Sequence, residues 1–335
     1  MKNEENPNNQ TSEEDVPQKV ADLFGALFAT LPNKDSDYLS RQKEITDQLF
    51  KALDSLSPAE RNAEINLLNR NLDRRYSVSL YNIRDLIKAK RCEEALTQIA
   101  PLENMLLLLE DAINKRHQYQ LVFRYYFSLM EKALTEKAFP EANITLLPVD
   151  GVSLYILKAQ ALFRLGKTDQ GYLSLHQALE LDPVSVDVVF LLLEQDIQAN
   201  NDFSIANDEE RISQYLYRSE DFFRSMKYVA YLTYNTTDKD WTSYLSSLPK
   251  NITPYDFLYK ADPLLSILLP KEKALLSPLV KETYEEKIKE AIDHKDKATY
   301  LYYLNNYLPF LSPEEKRRFT PSPFALPEVK KEKQA

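Results

Sequence analysis

The chain has 335 residues with a formal net charge of −9; 44% of the residues are hydrophobic and 28% are charged. At about 150 residues per domain, this length allows about two compact domains or one elongated array. Only 4 glycines occur, which excludes Gly-rich phosphate loops, tight β-hairpins and collagen-like segments, because these need residues that tolerate positive φ. The 18 prolines interrupt long stretches of helix-forming residues, so the composition predicts helices separated by prolines.

The charge and the cysteine content bear on the compartment and on the class of ligand. The net charge of −9 argues against a nucleic-acid partner, because phosphate binding depends on clustered Lys and Arg. Cys92 is the single cysteine, so it can form no internal disulfide and no thiolate metal site. No signal peptide is visible, and no run approaches about 18 uninterrupted apolar residues. We therefore expect a cytoplasmic protein with no nucleic-acid partner and no membrane contact.

The two ends of the chain predict tails of different character. Residues 1–16 carry one lysine against five acidic residues and offer almost nothing to bury, which predicts a disordered acidic tail. Residues 320–335 hold three prolines and a run of Lys and Glu, which predicts a flexible basic tail.

Between residues 17 and 75 apolar residues recur at helical spacing, which predicts an N-terminal helical segment. Ser57-Pro58-Ala59-Glu60 is the clearest start signal: Ser57 can cap a helix, Pro58 takes its first position, and Glu60 completes a capping box. The helix that it opens carries Ile65, Leu68 and Leu72. No alternating β pattern bounded by turn residues occurs, so the predicted fold class is all-α.

The most informative region runs from Gly151 to Pro183 and predicts two antiparallel helices joined by a short turn. Gly166 can adopt the left-handed conformation that ends the first helix, and Asp182-Pro183 ends the second. Small residues stand where the helix axes must approach, and larger residues fill the space between them. The small residues are Ala159, Gly171 and Ala178, and the larger ones are Tyr155, Leu162 and Leu175.

This pattern resembles the tetratricopeptide repeat (TPR), a helix–turn–helix unit of about 34 residues. Lys158 departs from the pattern, because the family usually has Leu there, whereas the closing Leu181-Asp182-Pro183 agrees with it. The resemblance implies an α-α superhelix of antiparallel helical hairpins, a TPR-like solenoid, over residues 76–200. Irregular helical segments, 17–75 and 201–319, would flank it.

Weaker copies of the unit are found when the template is shifted along the chain. They matter because at least about three repeats are needed to bury a continuous core. The first copy runs from Tyr81 to Ile99, and Ala95 stands in the position of Gly171. Other copies begin near Leu129, Val188 and Ile288. Their anchors are unevenly spaced, so either the array is irregular or the loose copies are ordinary helical hairpins.

Residues 201–319 predict a C-terminal helical segment without a repeat signature. Asp208-Glu209-Glu210 is interpreted as a helix start, since acidic residues there complement the helix dipole. The chain also has 21 tyrosines and 15 phenylalanines. The favoured interpretation packs the tyrosine rings between helices with their hydroxyls at the surface, and the alternative makes them recognition anchors.

No constellation of catalytic or metal-ligating residues is visible in the sequence. His117, His176 and His294 lie far apart with no partner at metal-ligand spacing, and acid–base catalysis also needs an oriented partner. Gly166-Lys167-Thr168 resembles the end of a phosphate-binding loop, but it joins two predicted helices and follows no strand. We therefore expect no catalytic residue, no cofactor and no metal.

In tetratricopeptide arrays the first helices of successive hairpins line a concave groove that commonly receives peptides. The partner-binding residues that the resemblance implies are Ile156, Gln160, Phe163 and Arg164 on one helix, and Phe190 and Glu194 on the next. Ile156 and Gln160 stand where the chaperone-tail-binding subclass carries a Lys/Asn clamp for a terminal carboxylate. A groove of mixed apolar and polar residues fits an internal peptide segment or a helix.

Three functions are compatible with the sequence. The leading hypothesis is a non-enzymatic scaffold or adaptor that binds a peptide or helix of another protein in the concave groove, and that can also form homo-oligomers. The alternative is a peptide-sensing regulatory module resembling the repeat domain of bacterial transcription regulators, although residues 18–75 show no basic recognition helix. The third is a helical enzyme with a site built from scattered residues, which a pocket of converging carboxylates or histidines would favour.

Overall fold

A computed structural model describes residues 19–20, 22–23, 26, 38–117, 121–124, 128–234, 238–258, 275–320 and 323–324. The predicted acidic tail 1–16 lies outside these residues, as does most of the predicted basic tail 320–335. The chain divides into two compact units. The first unit comprises residues 1–125 and 143–182, and the second comprises residues 126–142 and 183–335.

The described residues are mainly helical, which confirms the all-α class. The elements in chain order are α1 (Tyr38–Asp54), α2 (Pro58–Lys88), α3 (Cys92–His117), β1 (Leu121–Arg124), α4 (Leu129–Ala138), β2 (Asn143–Leu146), α5 (Gly151–Arg164), α6 (Thr168–Leu181), α7 (Val186–Ala199), α8 (Asp202–Tyr215), α9 (Ser219–Tyr234), α10 (Asp238–Ser247), α11 (Pro254–Asp256), α12 (Pro278–Asp293), α13 (Lys297–Tyr307) and α14 (Pro313–Lys316). Two 3₁₀ turns, Leu308–Phe310 and Arg317–Phe319, flank α14. No helix among the described residues is long and apolar enough to cross a membrane.

One pair of short strands departs from the expectation of helices alone. Strands β1 and β2 pair in parallel, with Leu121 opposite Asn143 and Arg124 opposite Leu146. Parallel strands need a crossover connection, and a helix usually supplies it; here α4 lies between them in the chain. Four residues are too few to show an alternating pattern, so the sequence carried no sign of this pair.

The predicted start of the long helix α2 is confirmed in detail. The backbone amide of Ser57 donates a 3.1 Å hydrogen bond to the Glu60 carboxylate, and the Glu60 amide donates one of 3.4 Å to the Ser57 hydroxyl. Pro58 occupies the first helical position. These reciprocal bonds satisfy amides that have no partner within the helix, which is why the helix begins here.

Four helical hairpins end their first helix in the same way. Their turns contain the residues of positive φ: Lys90, Gly166, Asn200 and Lys295. In each turn the amide of that residue donates to the carbonyl three positions earlier, and the next amide donates to the carbonyl five positions earlier, at 2.8 to 3.2 Å. This is the Schellman motif. Only one of the four positions is glycine, so the sequence revealed only the turn at Gly166.

The predicted hairpin between Gly151 and Pro183 is confirmed as α5 and α6, which pack extensively against each other. Ala159, Gly171 and Ala178 are buried in the contact. A Cβ atom added at Gly171 would lie 2.5 Å from the Phe163 ring, so any larger residue here must displace that ring. The ammonium of Lys158, at the position that departs from the family, pairs with Glu103 of α3 at 2.6 Å.

The weaker copies of the repeat have mixed outcomes. Helices form at the copies that begin near Val188 and Ile288, as the hairpins α7/α8 and α12/α13. The copy that begins near Leu129 is wrong, because α4 is followed by strand β2 and not by a second helix. The first copy also forms two packed helices, α2 and α3, in which Ala95 is fully buried whereas Tyr81 is 61% exposed.

Tyrosines fill much of the core of the second unit. Tyr284 stacks on Tyr307 with ring centroids 4.9 Å apart, and its hydroxyl donates to the Tyr217 carbonyl at 2.8 Å. The Tyr217 hydroxyl shares a 2.8 Å hydrogen bond with Ser128. The packing interpretation is thus confirmed for these rings, but their hydroxyls are bonded inside the unit instead of reaching the surface.

Candidate functional site

The six residues implied as a binding groove are divided between the two compact units. Ile156, Gln160, Phe163 and Arg164 lie on α5 in the first unit, whereas Phe190 and Glu194 lie on α7 in the second. Ile156 and Gln160 are half-buried. Gln160 makes no side-chain hydrogen bond with another described residue, and the apolar Ile156 side chain can make none.

Phe163 and Arg164 have structural roles within the first unit. The Phe163 ring covers Gly171 and meets the Tyr172 ring edge-on, with centroids 5.6 Å apart. The Arg164 guanidinium donates a hydrogen bond to the Ile87 carbonyl in the last turn of α2. The same carbonyl also accepts from the Lys90 amide at 3.0 Å, so the cation adds a second donor there and complements the negative end of the helix.

Phe190 and Glu194 face another helix of the same unit, which corrects their assignment to an open groove. Phe190 is fully buried, and its ring lies 5.7 Å from that of Tyr228 on α9. The Arg224 guanidinium of α9 sits over the Phe190 ring, 4.3 Å from its centroid. Glu194 accepts a 3.1 Å hydrogen bond from Arg224 and another from the Tyr228 hydroxyl.

A chain of ion pairs extends this contact along α7 and α9. Asp187 accepts from Arg218 at 2.9 Å and from Arg224 at 3.3 Å. Arg218 also holds Asp221 with two hydrogen bonds of 2.6 and 2.8 Å. Asp221 is only 3% exposed, and burial raises its pKa although Arg218 opposes that shift. An internal helix thus occupies the face of α7 that the resemblance assigned to a peptide.

A second acidic contact joins Asp196 of α7 to Asp208 of α8. Both residues are buried. Burial raises the pKa of Asp208 to about 7, and the negative charge of Asp196 and the hydrogen bond with it add to this effect, while Arg211 opposes it. Asp208 was interpreted as part of a helix start, which is wrong, because α8 begins earlier, at Asp202.

The second unit also holds an open pocket of about 280 Å³ where α4 meets the α12/α13 hairpin. Its apolar part is formed by Leu129, Ala133, Ala291 and the ring of Tyr303. The Tyr303 hydroxyl donates to the Leu129 carbonyl at 3.2 Å, which fixes this ring against α4. The polar residues that complete the lining are Lys132, Glu136, Lys287, Glu290, His294, Asp296 and Thr299.

The charges on the rim of this pocket are paired with one another. Lys132 lies 3.7 Å from Glu136 on α4, and Lys287 lies 2.9 Å from Glu290 on α12. Asp296 caps α13 by accepting hydrogen bonds from the amide and hydroxyl of Thr299 at 3.0 and 2.7 Å. Those bonds hold the pKa of Asp296 below its usual value. The rim therefore presents donors and acceptors in alternation, with no large excess of either charge.

The pocket gathers a histidine and three carboxylates, the arrangement that the enzyme hypothesis asked for. Nδ1 of His294 lies 2.8 Å from the Glu290 backbone carbonyl, and no carboxylate of the described residues orients the ring. The carboxylates of Glu136, Glu290 and Asp296 are each engaged by a lysine or by Thr299. No group of three His, Cys, Asp or Glu side chains among the described residues could hold a metal ion.

Sequence reasoning missed this pocket because its walls are far apart in the chain. Residues 129–136 supply one wall and residues 287–303 supply the other. Both segments had been identified as loose repeat copies, near Leu129 and Ile288, but nothing in their spacing showed that α4 packs on α12. The only available signal was the density of paired charges at one hairpin turn.

Comparison with known proteins gives the chain no relatives. No protein-family model, no curated protein and no solved structure matches it. Its function must therefore be inferred from the residues and their geometry alone.

Proposed function

We propose that this protein is a non-enzymatic helical adaptor that binds a segment of another protein, with the pocket between α4 and the α12/α13 hairpin as an anchoring site. The observation that carries the proposal is the pocket itself: an open cavity of about 280 Å³ with an apolar floor and a rim of paired charges. Such a site takes up an apolar side chain, while the rim can hydrogen-bond the backbone on either side of it.

The size and the polarity of the pocket favour a peptide over a small charged metabolite. The rim pairs Lys132 with Glu136 and Lys287 with Glu290, and Thr299 donates to the third carboxylate, Asp296, so every carboxylate of the rim already has a partner. A peptide backbone carries both donors and acceptors and no net charge. It can therefore pair with such a rim without leaving a buried ion unpaired.

The helical hairpins support the adaptor proposal at the level of architecture. Hairpins of this kind recur at α2/α3, α5/α6, α7/α8 and α12/α13 with the same turn geometry. We propose that they are TPR-like hairpins, and that within the second unit α9 covers the face of α7 that a regular groove would need. Peptide recognition then depends on the pocket between α4 and the α12/α13 hairpin.

The proposal is tested by selecting peptides on the protein and blocking the pocket. A phage-displayed dodecapeptide library is selected on the full chain, and enriched peptides are measured by fluorescence anisotropy on wild type and on Lys132→Trp. Lys132 lies on the exposed rim, so the indole can cover the floor without entering the core. Lys289→Trp is the matched control, because Lys289 is exposed on α12 outside the pocket.

We expect selected peptides to share an apolar residue and to bind Lys132→Trp at least ~10-fold more weakly than wild type. Lys289→Trp should bind them as wild type does. Equal binding to both variants would refute the pocket as the anchor. Failure to enrich any peptide would refute peptide binding as the function.

A further inference from the structure

The long helix α2 has two apolar faces, and only one of them is buried in the first unit. The inner face carries apolar residues every three or four positions, as a core-facing helix must. Those residues are Leu68, Leu72, Tyr76, Leu80, Ile83 and Ile87, all of them buried. The outward face lies on the opposite side of the helix axis. Its first residue, Leu67, directly precedes Leu68 of the inner face.

The outward face forms a stripe of large side chains in solvent. Leu67, Val78 and Tyr81 are 49%, 57% and 61% exposed. Arg70 and Arg74 complete the stripe and are exposed as well. The five positions follow one another at intervals of three or four residues, so they lie in one row on the helix surface. At 1.5 Å per residue the row is about 21 Å long, which is four helical turns.

The charge of this row contrasts with that of the chain. The chain has a net charge of −9, whereas the row carries two arginines and no acidic residue. Arg74 makes no ion pair or hydrogen bond through its side chain with another described residue. Among the described residues, the Arg70 guanidinium donates to the Asn66 backbone carbonyl alone, at 3.2 Å. Within that part of the chain neither arginine pairs with a carboxylate, so both can pair with an incoming one.

A second copy of the chain does not fit this row. If two α2 helices packed in parallel, Arg70 would face Arg70 of the other chain, and Arg74 would face Arg74. If they packed antiparallel about the centre of the row, Arg74 would face Arg74. Like charges directly opposite each other are unfavourable, so the row is unsuited to self-pairing in either direction.

We propose that the outward face of α2, from Leu67 to Tyr81, is a docking surface for an amphipathic helix of a partner protein that carries Glu or Asp beside its apolar seam. Leu67, Val78 and Tyr81 would bury the seam, and Arg70 and Arg74 would pair with the acidic residues. This is side-by-side helix pairing, in which apolar seams supply the affinity and flanking charges select the partner. With the pocket of the second unit, the adaptor would carry one binding surface on each compact unit.

The alternation of apolar and basic residues favours a protein partner over a nucleic acid. Phosphate binding uses clusters of Lys and Arg that follow the backbone and gains little from exposed aliphatic side chains. In this row aliphatic and aromatic side chains outnumber the cations. DNA binding is nonetheless measured directly in the test, as the result that would overturn the assignment.

The test uses two synthetic helical peptides with the same leucine seam, one flanked by glutamates and one by lysines. Binding of each labelled peptide to the full chain is measured by fluorescence anisotropy for wild type, Arg74→Glu and Arg84→Glu. Arg84 is exposed on the same helix but lies off the row, so it is the matched control. Far-UV circular dichroism verifies that each variant keeps its helical content.

We expect wild type and Arg84→Glu to prefer the glutamate peptide by at least ~10-fold. Arg74→Glu should lower or reverse that preference, because it places an acidic residue in the row. Equal binding of both peptides to wild type, or no binding of the glutamate peptide, would overturn the proposal. Retention of a labelled DNA duplex by wild type that Arg74→Glu abolishes would overturn it in favour of a phosphate ligand. Lys132 lies on α4 and not on α2. If the pocket proves to bind no peptide, the result for the α2 row is therefore unaffected.

Discussion

The α5/α6 hairpin of the first unit and the α7/α9 contact of the second each pack a phenylalanine that the sequence had assigned to a ligand. In the hairpin, Phe163 packs on Gly171, and the contact is a match of large and small side chains. In the α7/α9 contact, Phe190 lies under Arg224 within a chain of ion pairs. The first contact is apolar and local, whereas the second is ionic and joins segments about 30 residues apart.

The difference shows that a residue pattern can place side chains on one face of a helix without telling whether that face is exposed. A repeat pattern predicts which residues lie on one face of a helix, because that depends only on helical geometry. Whether the face stays open depends on which other helix is available to cover it. On α7, α9 supplies arginines that match Asp187 and Glu194, so the face is closed from within the chain.

The largest effect on stability is expected in the ionic α7/α9 contact, from Arg218→Ala. The substitution removes both hydrogen bonds to Asp221 and one to Asp187, leaving the buried Asp221 carboxylate without its counter-ion. We expect the free energy of unfolding to fall by about 3 kcal/mol, as measured by urea denaturation.

The source of that loss can be separated by a second substitution. In Arg218→Ala/Asp221→Asn no charge is left buried, so the double variant should recover much of the stability. Arg91→Ala breaks an exposed ion pair with Glu94 and should leave the denaturation midpoint unchanged. A double variant as unstable as Arg218→Ala would show that lost packing, not the unpaired carboxylate, causes the effect.

The apolar contact between Phe163 and Gly171 in the α5/α6 hairpin is tested by Gly171→Val. The new side chain must displace the Phe163 ring, which lies 2.5 Å from the position of the first added carbon. We expect a loss of about 2 kcal/mol in the free energy of unfolding from this overpacking. Urea denaturation again gives the measurement.

Two variants show whether the Phe163 contact is responsible. Phe163→Ala opens space for the valine, so Gly171→Val/Phe163→Ala should lose less stability than the two single losses added together. Leu173→Val introduces the same β-branched residue at an exposed position of α6 and reports the helix-propensity cost alone. Strict additivity of the double variant would contradict the size-matching explanation.

A pH-dependent effect is expected where Asp208 of α8 meets another buried acidic residue, Asp196 of α7. The folded chain keeps the proton of Asp208 up to about pH 7, whereas its ordinary pKa is 3.8. Because the folded state binds more protons in this interval, stability is full below about pH 4 and falls as the pH rises to about 7. The pH dependence therefore runs opposite to that of a salt-bridged carboxylate.

Asp208→Asn keeps a neutral side chain at all pH values and should remove this decline. We expect the variant to be more stable than wild type at pH 8 and close to wild type at pH 4. Glu210→Gln, an exposed carboxylate on the same helix, is the matched control and should leave the pH profile unchanged. A profile of Asp208→Asn parallel to that of wild type would show that Asp208 is ionised in the folded chain.

The sequence predicted those features that a short stretch of residues determines by itself. The all-α class, the capping box at Ser57 and the α5/α6 hairpin with its turn at Gly166 all follow from local propensity and helical spacing. The hairpin turns at Lys90, Asn200 and Lys295 use the same geometry without glycine, because the helices on either side compensate for the strain of positive φ. That compensation is not visible in sequence.

Tertiary structure alone decided which helix faces are covered and which stay open. The pairing of α9 with α7, the pocket of α4 with α12 and α13, and the proton held by Asp208 all join residues distant in the chain. The sequence determines where each helix begins and which way its side chains point, because those depend on neighbours within about four positions. Burial and ion pairing depend instead on which helices meet, and only the folded chain brings them together.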